Sequence, residues 1–185
     1  MMRLWRQFGK AALAAAAGMF VASASAQVLN SAASPIALRA VLPESLTLTL
    51  SGNAVNFNLV AGSPNNPGST PITATTNWVL KRGVGVVTVY AFFASSTTAL
   101  TDGVGDNIPS ADFQISDNGG AFRALNRTVP FGGAKAALAL ARSFVRGNYR
   151  GTRSDVMKFN INLRSLPTLP ADSYTGMLTI QAQAF

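Results

Sequence analysis

Phe159-Asn160-Ile161-Asn162-Leu163-Arg164 sets apolar side chains on one side and polar ones on the other, and Met177-Leu178-Thr179-Ile180-Gln181-Ala182-Gln183-Ala184 does the same. A period of two with one apolar face marks a half-buried β-strand. Between them, residues 165–176 contain Pro167 and Pro170, which suit a turn. Residues 155–185 therefore read as two long strands joined by a proline-punctuated corner, the second held by lateral pairing.

The same period recurs upstream. Ile36, Leu38, Ala40 and Leu42 share one face, Pro43 interrupts, and Leu46, Leu48 and Leu50 resume it, as expected of an edge strand that bends at the proline. Ser51-Gly52-Asn53 then turns into Val55, Phe57 and Leu59, which predicts a first hairpin. Residues 62–71 have loop composition, and residues 72–80 form a threonine-rich strand carrying Trp78, read as a core anchor rather than a sugar-stacking platform.

Residues 84–94 are apolar on both faces, which predicts a central strand covered on each side or a strand at an interface. Residues 95–109 read as a long polar loop. Residues 111–116 and 121–125 flank Asp117-Asn118-Gly119-Gly120, and since asparagine and glycine tolerate positive φ, this is a hairpin. In residues 129–145 the alanines favour helix, yet Leu138 and Leu140 alternate; the neighbouring β segments favour strand, with helix over 134–146 left open. Residues 146–153 read as a basic, glycine-containing loop. Many short alternating segments and no convincing helix predict an all-β chain, an immunoglobulin-like antiparallel β-sandwich with a jelly roll as the alternative.

The address is legible as well. Arg3, Arg6 and Lys10 precede an apolar run over 11–22, and the stretch ends Ala24-Ser25-Ala26, so residues 1–26 are expected to be a signal peptide cleaved after Ala26. The run is shorter than the roughly 20 residues a spanning helix needs, so no stable membrane insertion is expected after cleavage. Residues 27–185 are then a single secreted domain in the periplasm, at the cell surface or outside the cell. With no cysteine, its stability must come from packing and from β ladders rather than disulfides. Without the signal, 12 basic residues stand against seven acidic ones. This balance permits contact with an anionic glycan, but it lacks the aromatic interleaving of a nucleic-acid platform, so no nucleic acid is expected.

Catalytic chemistry finds few carriers. Histidine and cysteine are absent, which removes the commonest general base and the thiolate nucleophile, and no Gly-x-Ser-x-Gly elbow exposes a serine. Glu44, Asp102, Asp106, Asp112, Asp117, Asp155 and Asp172 lie mostly in turns or beside prolines, where aspartate is locally favoured, rather than as an evident glycosidase pair. The loop Asp102-Gly103-Val104-Gly105-Asp106-Asn107 offers oxygen ligands but lacks the spacing and closing glutamate of a calcium loop. No catalytic residue, cofactor or metal site is expected, and the protein is expected not to be an enzyme. Arg142, Arg146, Arg150 and Arg153 recur every three or four residues, interrupted by Gly147 and Gly151, as a solubilising loop or as a contact for an anionic glycan.

The ending Leu169-Pro170-Ala171-Asp172-Ser173-Tyr174-Thr175-Gly176-Met177-Leu178-Thr179-Ile180-Gln181-Ala182 resembles the Pro-x-x-x-Tyr-x-Gly-x-Leu-x-Ile close of secreted pilin-like domains, the spore coat protein U group and archaic chaperone–usher subunits. The resemblance implies a fimbrial, immunoglobulin-like subunit of a surface filament or coat, with Tyr174 at the corner and Leu178 and Ile180 in the core. It also implies self-association by strand addition, in which a neighbour's extended segment pairs with an open edge, and a periplasmic chaperone. The chain departs from that pattern: it has no cysteine pair, and its lead-in over 28–34 is short and made of small residues. A strand-exchanging subunit and a self-contained sandwich both stay open, as does the alternative function of a monomeric carbohydrate-binding or adhesive module.

Overall fold

The computed structural model describes residues 31–185, so the expected signal peptide lies outside the described residues. Val41–Phe185 forms one compact unit. Residues 31–44 carry no secondary structure and are exposed, so the edge strand expected over 36–42 is not formed. The first strand starts only beyond Pro43.

The elements of the compact unit are all strands: β1 (Ser45–Leu50), β2 (Asn66–Pro67), β3 (Ile72–Val79), β4 (Val86–Phe92), β5 (Leu100–Thr101), β6 (Asn107–Ile108), β7 (Phe113–Asp117), β8 (Arg123–Ala124), β9 (Ala137–Phe144), β10 (Arg150–Ile161) and β11 (Thr179–Ala184). The larger sheet runs β1-β3-β10-β7-β8, with β2 also on β10; the smaller runs β11-β4-β9; β5 and β6 form a separate hairpin. Every strand pair is antiparallel. The chain is thus an all-β antiparallel sandwich.

Its core is made where the two sheets face each other. Ala74, Ile115, Met157, Phe159 and Ile161 come from the larger sheet, and Val89, Ala91, Leu138 and Ala141 from the smaller. A second cluster gathers Trp78, Val87 and Val145, with Leu46, Leu80 and Tyr149 packed against it, so Trp78 is the core anchor expected of it. The outer face of β4 is covered too. Phe131 stacks on Phe92, centroids 5.9 Å apart, and meets Tyr90 edge-on at 5.7 Å, which explains why this strand is apolar on both sides.

The hairpin at Asn118-Gly119 forms as expected: Asn118 and Gly119 have φ of 49° and 76°, and Ile115 pairs with Arg123. Residues 137–144 are strand, paired with β4 through a bulge at Val89/Tyr90, which settles the helix alternative in favour of β. Three other expectations need correction. Residues 95–109 are not simply a polar loop: Leu100 and Thr101 pair with Ile108 and Asn107, and Leu100 and Ile108 are buried. Val55, Phe57 and Leu59 do not form a hairpin with β1, which pairs instead with β3; their stretch touches residues 66–69 through a single bridge, Phe57 to Gly68. Arg150 to Arg153 are not loop but the start of β10, drawn into the ladder by pairing with Val79, Trp78, Asn77 and Thr76.

At Gly151 that ladder passes directly over an aromatic ring. A Cβ there would fall within the van der Waals surface of the Trp78 indole. We predict that Gly151→Ala costs about 1–3 kcal/mol by overpacking, measured by denaturant unfolding followed through Trp78 fluorescence. Unchanged stability would contradict the close approach.

Candidate functional site

On the β9 side the two sheets are linked by the backbone bridge between Arg127 and Ala137, and the opposite side has no such link among the described residues. β1 and β11, outer strands of the two sheets, are in contact there. Beyond β1 the chain leaves β3, and residues 50–61 form one wall of a groove; residues 169–178 and Ile180 form the other. Among the described residues no backbone hydrogen bond joins the two walls. The space between them is about 1090 Å³, with Ile72, Phe93, Leu100, Phe113, Met157 and Phe159 among the residues lining it. These are core residues, so the groove is an opening into the interior of the sandwich.

Local interactions hold each wall. On one, Ser69 N donates to Asn56 O, and Val60 N donates to Asn66 Oδ1 at 2.7 Å, while Asn66 N donates to Asn160 Oδ1 and its amide to Ile161 O. Asn66 and Asn160 are buried and thereby tie this wall to β10. On the other wall Tyr174 Oη donates to Pro170 O at 3.0 Å, locking the corner, and Thr175 exchanges two backbone bonds with Thr101. At Gly176 the carbonyl of Ala99 occupies the space a Cβ would need. Tyr174, Leu178 and Ile180 are half-buried against the core.

The groove is apolar along its floor, and Asp172 is the one ionisable carboxylate in its lining. Its volume lies at the upper limit of a small-molecule pocket, and convergent polar groups, which orient small ligands, are missing from its floor. A floor and two walls without cross-bonding suit an extended apolar segment.

The acidic residues are held mostly by local contacts. Asp102 Oδ1 accepts from the amides of Val104, Gly105 and Asp106 at 2.9–3.0 Å. Desolvation works upward on its carboxyl, but these backbone donors prevail and hold it below its ordinary value. The suspected calcium loop is thus braced internally by its own first aspartate, and among the described residues no group of three or more potential ligands is placed to hold a metal. Asp112 accepts from Ser165 Oγ, and Glu44 pairs with Lys81. Asp117 and Asp155 approach each other: burial, then the charge of Asp155, pushes the Asp117 carboxyl up. Asp155 itself is engaged by Arg153 Nε at 2.7 Å and by the Asn118 amide.

The four arginines divide. Arg153 braces the interior through Asp155 and donates Nη1 to the carbonyl of Arg142, linking the two sheets. Arg142 and Arg146 instead lie 5.7 Å from the ring centroid of Phe144, a strongly exposed aromatic that the sequence reading passed over inside the ambiguous 129–145 span. Compared with known proteins, the chain matches no family model and no curated protein.

Arg153→Ala would strand the buried Asp155 carboxylate. We expect a loss of roughly 2–3 kcal/mol, short of the fully buried range because the Arg153 side chain is 33 % exposed. Arg146→Ala should fall within about 0.5 kcal/mol of the parent. Equal effects in urea unfolding would show that Arg153 has no structural role.

Proposed function

We propose that this protein is a non-catalytic, secreted structural subunit of a bacterial surface filament, pilus or coat, built by strand addition between copies. The observation that carries the reading is the open groove together with an unpaired segment suited to fill it. Ile36, Leu38, Ala40 and Leu42 alternate, and Ile36, Leu38 and Leu42 are 82 %, 92 % and 68 % exposed. Burying those three large side chains in a neighbour's groove is worth roughly 5–9 kcal/mol. Backbone pairing along the walls adds direction and register.

The donor in this reading is 36–42, not the small-residue stretch over 28–34. The locked Tyr174 corner supports an immunoglobulin-like rather than a jelly-roll sandwich, because a tyrosine bonded to a backbone carbonyl just upstream is a device of that architecture. An uncovered groove of this size is an aggregation hazard between export and assembly, so a periplasmic chaperone that lends a temporary strand belongs to the same proposal. A monomeric carbohydrate-binding or adhesive module is the second reading, favoured by the Phe144 cluster.

Removing residues 27–43 tests the first reading. The full mature chain should give a ladder of oligomers on native gels, the shortened chain only monomers with an unchanged circular dichroism spectrum, and Leu38→Asp should behave like the deletion. A ladder that survives the deletion overturns strand addition.

A further inference from the structure

We propose that Arg142, Phe144 and Arg146 form a binding surface for an anionic polysaccharide carrying carboxylate or sulfate groups. Phe144 is 63 % exposed at the end of β9. Two guanidinium groups stack against this one ring, each 5.7 Å from its centroid. Stacking restricts both side chains while leaving their N–H donors free, so less entropy is lost when an oxyanion is captured. Neither guanidinium is paired with a carboxylate among the described residues, unlike the Arg153 guanidinium and the Lys81 ammonium.

The surroundings reinforce the charge. Leu80 N bonds Tyr149 O, so the β3–β4 and β9–β10 turns meet at one end of the sandwich and bring Lys81, Arg82, Arg146 and Arg150 to the same pole. At this pole Glu44 pairs with Lys81, whose backbone N–H also donates to the Glu44 carboxylate. A saccharide fits the chemistry: the C–H face of a pyranose packs on the exposed part of the ring, and its carboxylate or sulfate meets the guanidinium forks. A long repeating chain would engage both arginines at once.

This surface is independent of strand addition. β9 and β11 are the two outer strands of the smaller sheet, and the groove lies on the β11 side. Assembly through the groove leaves Phe144 open, so a filament would display the surface repeatedly and gain avidity.

The test uses the purified mature chain against immobilised polygalacturonate, heparin, neutral dextran and a single-stranded oligonucleotide, over a series of salt concentrations. Polygalacturonate or heparin should bind, and dextran should not. Arg142→Ser with Arg146→Ser should weaken binding about tenfold or more and flatten the salt dependence. Phe144→Ala keeps every charge and should weaken it about threefold or more with the salt dependence retained. Arg164→Ser, on the loop after β10, should leave binding as it was. Thermal midpoints of all variants establish that they fold. The proposal is overturned if neither polyanion binds at low salt, if Arg164→Ser costs as much as the cluster arginines, if Phe144→Ala has no effect, or if the oligonucleotide binds more tightly than either polysaccharide.

Discussion

The ladder along Arg150–Ile161 is the interaction on which this structure depends. This strand pairs with β3 over its first two thirds, then with β2 on the same edge, while β7 takes the other edge from Met157 onward. Because its first half-partner, β3, is covered in turn by β1 whereas its later partner, β2, is only two residues long, the larger sheet is complete at one end and ragged at the other. The groove opens where the ladder runs out. Unpaired backbone beside exposed core is a costly combination in water, and it makes the open side reactive toward any extended chain of matching pattern.

Charge is distributed by the same framework. Where a cation is needed inside, as at Arg153, the strand supplies a carboxylate two residues on, at Asp155, on the same face of β10. At the end of β9 no such partner is provided among the described residues, and Arg142 and Arg146 settle on an aromatic ring instead. The acidic side chains are largely absorbed locally: Asp102 by its own loop, Asp112 by Ser165, Asp155 by Arg153. What remains at the surface is cationic at one pole, with Asp106 and Asp172 exposed near the Tyr174 corner and an apolar floor in the groove.

Much of the fold was legible because period two is a local property. It located β3, β4, β7, β9 and β11, and the Asn118-Gly119 turn was readable from its tolerance of positive φ. Pairing is not local, and there the reading failed. Val55, Phe57 and Leu59 have the alternation of a strand but meet residues 66–69 and the groove rather than β1, and residues 36–42 have it but carry no secondary structure. Alternation records that a segment is suited to a sheet, not which sheet holds it. Arg150 to Arg153 failed in the opposite sense: their composition is that of a loop, but the neighbouring β3 extends far enough to recruit them. Of the candidate surfaces, the arginines were visible by spacing, whereas the role of Phe144 required the direction of its side chain.

Because the chain has no cysteine, a single pair introduced into it reports contact without interference. The most direct measurement places Leu38→Cys on one copy and Leu178→Cys, in the groove wall, on another, then mixes them under mild oxidation. A mixed disulfide between the two copies, forming faster than either homodimer, is the predicted result. Failure of the mixed pair to link, while the proteins still assemble, would contradict the claim that the open side of one sandwich receives the amino-terminal segment of the next.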